Sequence, residues 1–300
     1  MSEKQCNVKL DPSVKSGETK IRHLVISGGA ISGLTFYGTL QKLHKQNYWK
    51  IENIQTIYGT SVGSFIAVII ALGYEWSEID NYFIKRPWQH IFKIDTYSMI
   101  DSLINKMGIY NNKIFEDALY PLFAGKDIPI GITLKEFYEL NGIEIHIFTT
   151  ELNSFTLTDM SYKTHGDWRV IDVIYCSCCL PVIFMPFLRE ARAYGDGGFL
   201  SNYPLIQCIE NGADASEILG VYRIYSEGMG TLSKESNIFD YLMVIFNQTI
   251  EKIVIYPKLL SIGIECALEA TPMTIGSLHD IISNHEERKR IIDMGANFEV

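Results

Sequence analysis

Ile21 to Ile26 is a short apolar run that reads as a strand. Ser27-Gly28-Gly29-Ala30-Ile31-Ser32-Gly33 follows as a glycine-rich turn. Leu34 to Lys45 then places Leu34, Tyr37, Leu40, Leu43 and His44 near one face of a helix that stops at Asn47. Ile54 to Tyr58 predicts a second strand. Ser64 to Leu72, apolar on every side, predicts a helix buried inside the domain and closed by Gly73. Strand, helix, strand, helix in this order implies a parallel sheet covered by helices. Residues 74–140 are mostly helical in pattern and form a long excursion from the sheet, a cap over a site. Ile143 to Thr150 predicts another strand. Ile171 to Leu188 is dense in apolar residues and broken by Pro181 and Pro186. Ala193 to Gly198 ends in Gly195-Asp196-Gly197-Gly198, and Leu219 to Tyr225 predicts a further strand. From residue 226 the pattern is helical and mixed, ending in the charged run Glu286 to Arg290, and is expected to pack as an extension of the same domain. Residues 1–20 are polar and lack an apolar stretch, so a disordered lead-in without a secretory signal is expected.

Composition narrows the classes. A chain of 300 residues with 47% hydrophobic content can bury the core of one large α/β domain. A net charge of −9 argues against a nucleic-acid partner and against adhesion to anionic membranes by bulk charge, so lipid contact is expected to be local, transient and apolar. Cys6, Cys176, Cys178, Cys179, Cys208 and Cys266 contain no C-x-x-C pair and fit neither a zinc site nor a disulfide framework, which points to buried reduced thiols. Calcium loops and His/Cys ligand spacings are absent, so no metal and no cofactor is expected. The longest apolar run, Phe65 to Leu72, is too short to span a bilayer. A cytoplasmic protein, or one peripheral at membranes, is the expectation; the pattern implies no oligomeric state.

Three segments carry candidate chemistry. Gly59-Thr60-Ser61-Val62-Gly63 reads G-x-S-x-G where a strand turns into a helix. Such a turn exposes its central hydroxyl at the top of a sheet, with the helix N-terminus beneath. Alone, the pentapeptide fits a nucleophile or a helix-capping Ser equally well. The turn at 27–33 offers successive N–H groups at a helix N-terminus, an anion-binding nest. It is not a phosphate-binding P-loop, because Gly33 is followed by Leu34 rather than Lys. It also departs from a dinucleotide fingerprint, because the second Gly is Ala30 and the acid Glu52 precedes the next strand. An oxyanion nest fits better, since Ser61 ends the following strand. Asp196 before Gly197 and Gly198 reads, alone, as an Asx-turn.

Together, these segments resemble the patatin-like phospholipase family, whose motifs run near D-G-G-G-x-R-G, then G-x-S-x-G, then D-G-[AG]. Here they are Ser27 to Gly33, Gly59 to Gly63 and Asp196 to Gly198. Gly108-Ile109-Tyr110, Thr133 to Phe137, Gly142 to Asn153, Ser177 to Pro181, Phe184, Pro186, Asn202 and Pro204 extend the similarity from about residue 21 to 223. The resemblance implies a three-layer α/β/α domain over 21–225 with a central, mostly parallel sheet. It implies hydrolysis of fatty-acyl esters, phospholipids above all, by a Ser61–Asp196 dyad without His. The N–H groups of Gly29 and Ala30 would hold the oxyanion. The chain departs from the family where the third Gly is Ala30, whose N–H serves only if the turn does not demand positive φ, and where the basic residue is Ser32, which brings no charge. Phe83, Trp88, Phe92 and Met99 of the cap are candidate lining of an acyl groove. One rival is a Ser–His–Asp hydrolase using Ser61, Asp196 and His279 or His285, with His146 read as a core residue. Another is a lipid- or protein-binding module that kept the fold without catalysis.

Overall fold

The computed structural model describes residues 6–12, 14–17, 20–93, 96–224, 231–253, 261–270 and 273–299. The strands are β1 Cys6–Leu10, β2 His23–Ile26, β3 Thr56–Thr60, β4 Gly108–Tyr110, β5 Glu144–Glu151, β6 Thr156–Met160, β7 Val182–Phe184, β8 Phe187–Arg189, β9 Arg192–Asp196, β10 Ile218–Ile224 and β11 Ile264–Glu269. The helices are α1 Gly33–Lys45, α2 Val62–Ala71, α3 Trp76–Lys85, α4 Thr96–Asn105, α5 Lys113–Ala124, α6 Leu134–Asn141, α7 Val170–Cys178, α8 Leu205–Glu210, α9 Ile238–Ile253, α10 Ile275–Ser283 and α11 His285–Gly295.

The main sheet runs β1-β11-β10-β2-β3-β5-β9-β8, with β6 also on β5. Its middle, β11-β10-β2-β3-β5, is parallel, and β1, β6, β8 and β9 join antiparallel. Alternation along the strands builds the layers. Leu24, Ile26, Ile57, Ile145 and Ile147 enter one core with residues of α1, α2 and α7, whereas Val25, Tyr58 and Phe148 enter another with Leu205 and Cys208 of α8. The protein is therefore a three-layer α/β fold with a mostly parallel sheet.

The register around β5 matters most for the site. Thr56–Thr60 of β3 pair with Glu144–Phe148, and β9 continues with Asp196 opposite Thr149. Residues 147–148 of β5 pair with β6 and β3 at once, and residues 149–151 pair with β6 and β9 at once. β9 therefore occupies the same edge of β5 that β3 leaves. The end of β9 meets the end of β3 nearly head-on.

Three expectations differ from what is seen. Cys6–Leu10, within the expected lead-in, is an edge strand on β11, with Cys6 fully buried. The stretch after 226 is not all helix, since β11 lies between α9 and α10 and joins β10. The elbow strand ends two residues later than expected, because Gly59 and Thr60 remain paired to β5. Tyr225, at the expected end of the strand seen as Ile218–Ile224, lies outside the described residues.

Candidate active site

Ser61 follows β3 and precedes α2 with φ 53° and ψ −126°, a conformation that L-residues adopt only under constraint. The constraint is visible on both sides. The Ser61 N–H donates to Ser177 Oγ at 2.8 Å, and that hydroxyl donates to the Phe148 carbonyl at 2.6 Å. The Ser61 carbonyl accepts from Ser64 N–H at 2.9 Å and from Ser64 Oγ at 2.6 Å. Gly63 has no room for a side chain, because a Cβ would stand 2.2 Å from the Ile26 carbonyl oxygen. Gly59 packs against the first turn of α2, and Gly33 lets Val62 cross the start of α1. The elbow is thus locked between β2, β5 and α7.

Asp196 closes β9, and its own hydrogen bonds fix its carboxylate. Oδ1 accepts from Gly198 N–H at 2.7 Å, and Oδ2 accepts from Ser61 Oγ at 2.7 Å. The Asp196 N–H donates to the Cys179 carbonyl, and its carbonyl accepts from Thr150 Oγ1. Gly197 slides under this bond, with a hypothetical Cβ only 2.1 Å from Phe148 O. The chain then crosses the ends of β3 and β2: Thr60 Oγ1 donates to Ser201 O, and Asn202 exchanges bonds with Gly28. Asp196 is 2% exposed, and burial pushes its pKa up to about 6. The Ser61 and Gly198 hydrogen bonds and the charge of Arg223 pull the other way without cancelling that effect.

In the turn at 27–33, Gly28 N–H is spent on Asn202 O at 2.8 Å, so Gly28 anchors the turn. Neither Gly29 N–H nor Ala30 N–H has an acceptor among the described residues, and both residues line the same cavity as Ser61 and Asp196. The turn does demand positive φ at Ala30, and Ala30 adopts it (φ 47°) with its Cβ in place, so, against the expectation from sequence, positive φ leaves the Ala30 N–H unspent at the cost of backbone strain. Ser32 is fully buried and is not part of the cavity wall.

The cavity is about 360 Å³. Its far wall comes from α9 and from the start of α10 with the residues just before it, including Met243, Val244, Phe246, Met273 and Ile275, with Leu180 beside them. The expected lining is elsewhere. Phe83 and Trp88 are buried in the core and Phe92 packs against it, where the aromatic residues of 74–140 pair among themselves, as in Tyr82–Trp88 and Phe92–Tyr110. Met99 is half-buried on α4, also away from the cavity. No described His lines the cavity. The His279 and His285 side chains are 76% and 62% exposed, and His146 stacks on Tyr58 between Glu144 and Asp159. Sequence reasoning missed Arg223 and the α9 wall. A cation inside the otherwise apolar run 218–224 was the one available signal.

An α/β fold has thus joined a strained serine, a buried carboxylate and two unused N–H groups around one cavity. The model of the family described as Patatin-like phospholipase matches residues 24–209, and the chain belongs to that family. The uncharacterized protein R571 of Acanthamoeba polyphaga mimivirus is 31% identical over 235 residues, 76% of each chain. A probable lipid hydrolase, 463L, of Invertebrate iridescent virus 6 is 28% identical over 182 residues, 61% of each chain. Among solved structures, VipD from Legionella pneumophila superposes with a TM-score of 0.50 at 15% identity, over 96% of this chain and 70% of that one, a likeness of fold alone. Membership of the family supports a lipid ester hydrolase. Among the described residues, no helix is long and apolar enough to cross a membrane.

Proposed function

We propose that this chain is a lipid acyl hydrolase of phospholipase A type, with Ser61 as nucleophile and Asp196 as its general base. The observation that carries the reading is the 2.7 Å hydrogen bond from Ser61 Oγ to Asp196 Oδ2 in the cavity wall. Ser61 Oγ bonds to the ester carbonyl carbon as its proton passes to Asp196. The oxyanion is held by the N–H groups of Gly29 and Ala30. As the ester C–O bond breaks, Asp196 returns the proton to the leaving alkoxide, leaving an acyl-Ser61 ester. Water then gives its proton to Asp196 and its oxygen to the acyl carbon. Collapse of that intermediate returns the proton to Ser61 Oγ and releases the fatty acid. Burial of Asp196 strengthens it as a base, since a pKa of about 6 lies close to working pH.

Residues 21–225 would form the catalytic body, and of the described residues beyond it α9, the start of α10 and their neighbours wall the cavity. α9 presents Ile238, Tyr241 and Ile245 to solvent beside the cavity wall, which supports transient contact with a membrane surface. The left-handed Ala30 favours one rival, a fold kept for binding with catalysis lost. Fluorophosphonate labelling of wild type, Ser61→Ala and Asp196→Asn, with the modified peptide mapped, separates the two. Labelling at Ser61 that depends on Asp196 is expected. A folded wild type that takes no label, even with a lipid interface present, leaves the binding module as the better reading.

A further inference from the structure

Among the described strands, β1 pairs only with β11, and the pairing brings together two cysteines far apart in the sequence. Cys6 lies opposite Leu268 and Val8 opposite Cys266, so the two thiols stand on one face as diagonal neighbours. Cys6 is 2% exposed, Cys266 is fully buried, and both are free thiols in the core that α1 shares. The Cys266 thiol donates a hydrogen bond to the Cys6 sulfur. That bond holds the Cys6 thiol below its ordinary pKa against the opposing effect of burial, and Thr39 and the charge of Lys42 on α1 add to it. The cysteines elsewhere go the other way. Burial pushes the Cys176, Cys178 and Cys179 thiols up, and that of Cys208 up to about 12. One cysteine of the six is therefore prepared as a nucleophile, with a second sulfur in contact to resolve what it forms.

Burial shields this pair only while β1 stays in place. β1 is five residues long with one partner strand, so it has few bonds to break and opens at a lower free energy than the middle of the sheet. A diagonal pair is wider than a directly opposite one, so joining the sulfurs takes a small shift of the backbone, which an edge strand allows. We propose that Cys6 and Cys266 form a redox modification site, at which a hydroperoxide drives formation of a disulfide that ties β1 to β11. The Cys6 thiolate attacks one oxygen of hydrogen peroxide. The O–O bond breaks, and the departing oxygen leaves as water with the proton that Cys6 gave up. The Cys266 sulfur then attacks the Cys6 sulfenic acid. The S–S bond forms as the S–O bond breaks, and that hydroxyl leaves as a second water with the proton of Cys266. The two thiols together lose two electrons and two protons, and the peroxide is reduced. The proposal does not depend on Ser61 being the nucleophile.

The test uses the full chain, reduced, freed of reductant and treated with a small excess of hydrogen peroxide. Remaining thiols are blocked with iodoacetamide before the protein is unfolded and digested without reductant. A cross-linked peptide pair containing Cys6 and Cys266 is expected, with the loss of two hydrogens from the intact mass. The bond closes a loop of some 260 residues, so the Tm should rise by about 5–10 °C and fall back in dithiothreitol. In Cys266→Ser the oxidation should stop at Cys6 and be read as a dimedone adduct there. Cys6→Ser should leave Cys266 a free thiol under the same treatment. The peptide map of the wild type carries the test if either variant fails to fold. Wild type whose Cys6 and Cys266 both stay free overturns the proposal, as does a disulfide formed among the other cysteines in their place. A cross-link that appears only in urea, or a dimedone adduct on Cys266 in Cys6→Ser, overturns it too.

Discussion

Replacing Asp196 with Asn should make the protein more stable while removing its activity. Burial raises the Asp196 pKa from 3.8 to about 6. Folding therefore favours the protonated acid, and ionising it works against the native state. Asp196 costs nothing below the unfolded pKa near 4, and the penalty grows as pH rises through about 6. Two pKa units correspond to about 3 kcal/mol at pH 8. Asn is nearly the same shape. Its Oδ1 can keep the Gly198 N–H bond, and its Nδ2 can donate to Ser61 Oγ, so little hydrogen bonding is lost. Asp196→Asn should accordingly raise the Tm on the order of 5 °C at pH 8. The gain should close as pH approaches 4. At the same time kcat should fall by about 10²–10⁴, as for loss of a general base. Calorimetry of both proteins at pH 4.5, 6 and 8, with ester hydrolysis at pH 8, makes the comparison. A gain that does not vary with pH, or no gain at pH 8, would refute the reasoning that burial sets this carboxylate.

Other changes test the frame around the pair. Ser177→Ala strands the Ser61 N–H and the Phe148 carbonyl, so urea unfolding should show a loss of about 1–3 kcal/mol and kcat should fall with it. Ala30→Gly removes a Cβ from φ 47° and should add about 1 kcal/mol of stability and raise kcat; a slower, less stable variant would contradict the strain. Gly197→Ala forces a Cβ to within 2.1 Å of Phe148 O and should cost on the order of 3 kcal/mol, read by thermal melting.

What could be read from the chain was what local geometry demands. The turn at 27–33, the elbow and the Asp196 turn each need particular residues within a few positions, so they leave a signature. Joining them does not. Ser61 meets Asp196 because β9 takes over the edge of β5 that β3 vacates, a register set by pairings 43 to 88 residues apart in the chain. The cavity wall on α9 left no motif, because a hydrophobic face at helical spacing looks the same whether it fills a core or lines a pocket. Cys6, Val8 and Leu10 do alternate, but an edge strand is fixed by its partner, and β11 lies some 260 residues away. Phe83 and Trp88 failed as lining for the converse reason. Aromatic residues in a helical excursion found each other before they found a ligand.

The position of the cation bears on the base. The charge of Arg223 lowers the pKa of Asp196 against the larger effect of burial. In Arg223→Gln that restraint is gone, so the pKa should rise above 6 and a higher pH is needed to ionise the base. The acidic limb of the kcat–pH profile for a neutral ester, centred near pH 6 in wild type, should move toward alkaline pH. A limb that moves toward acid in the variant, or does not move, would contradict the electrostatic link of Arg223 to Asp196.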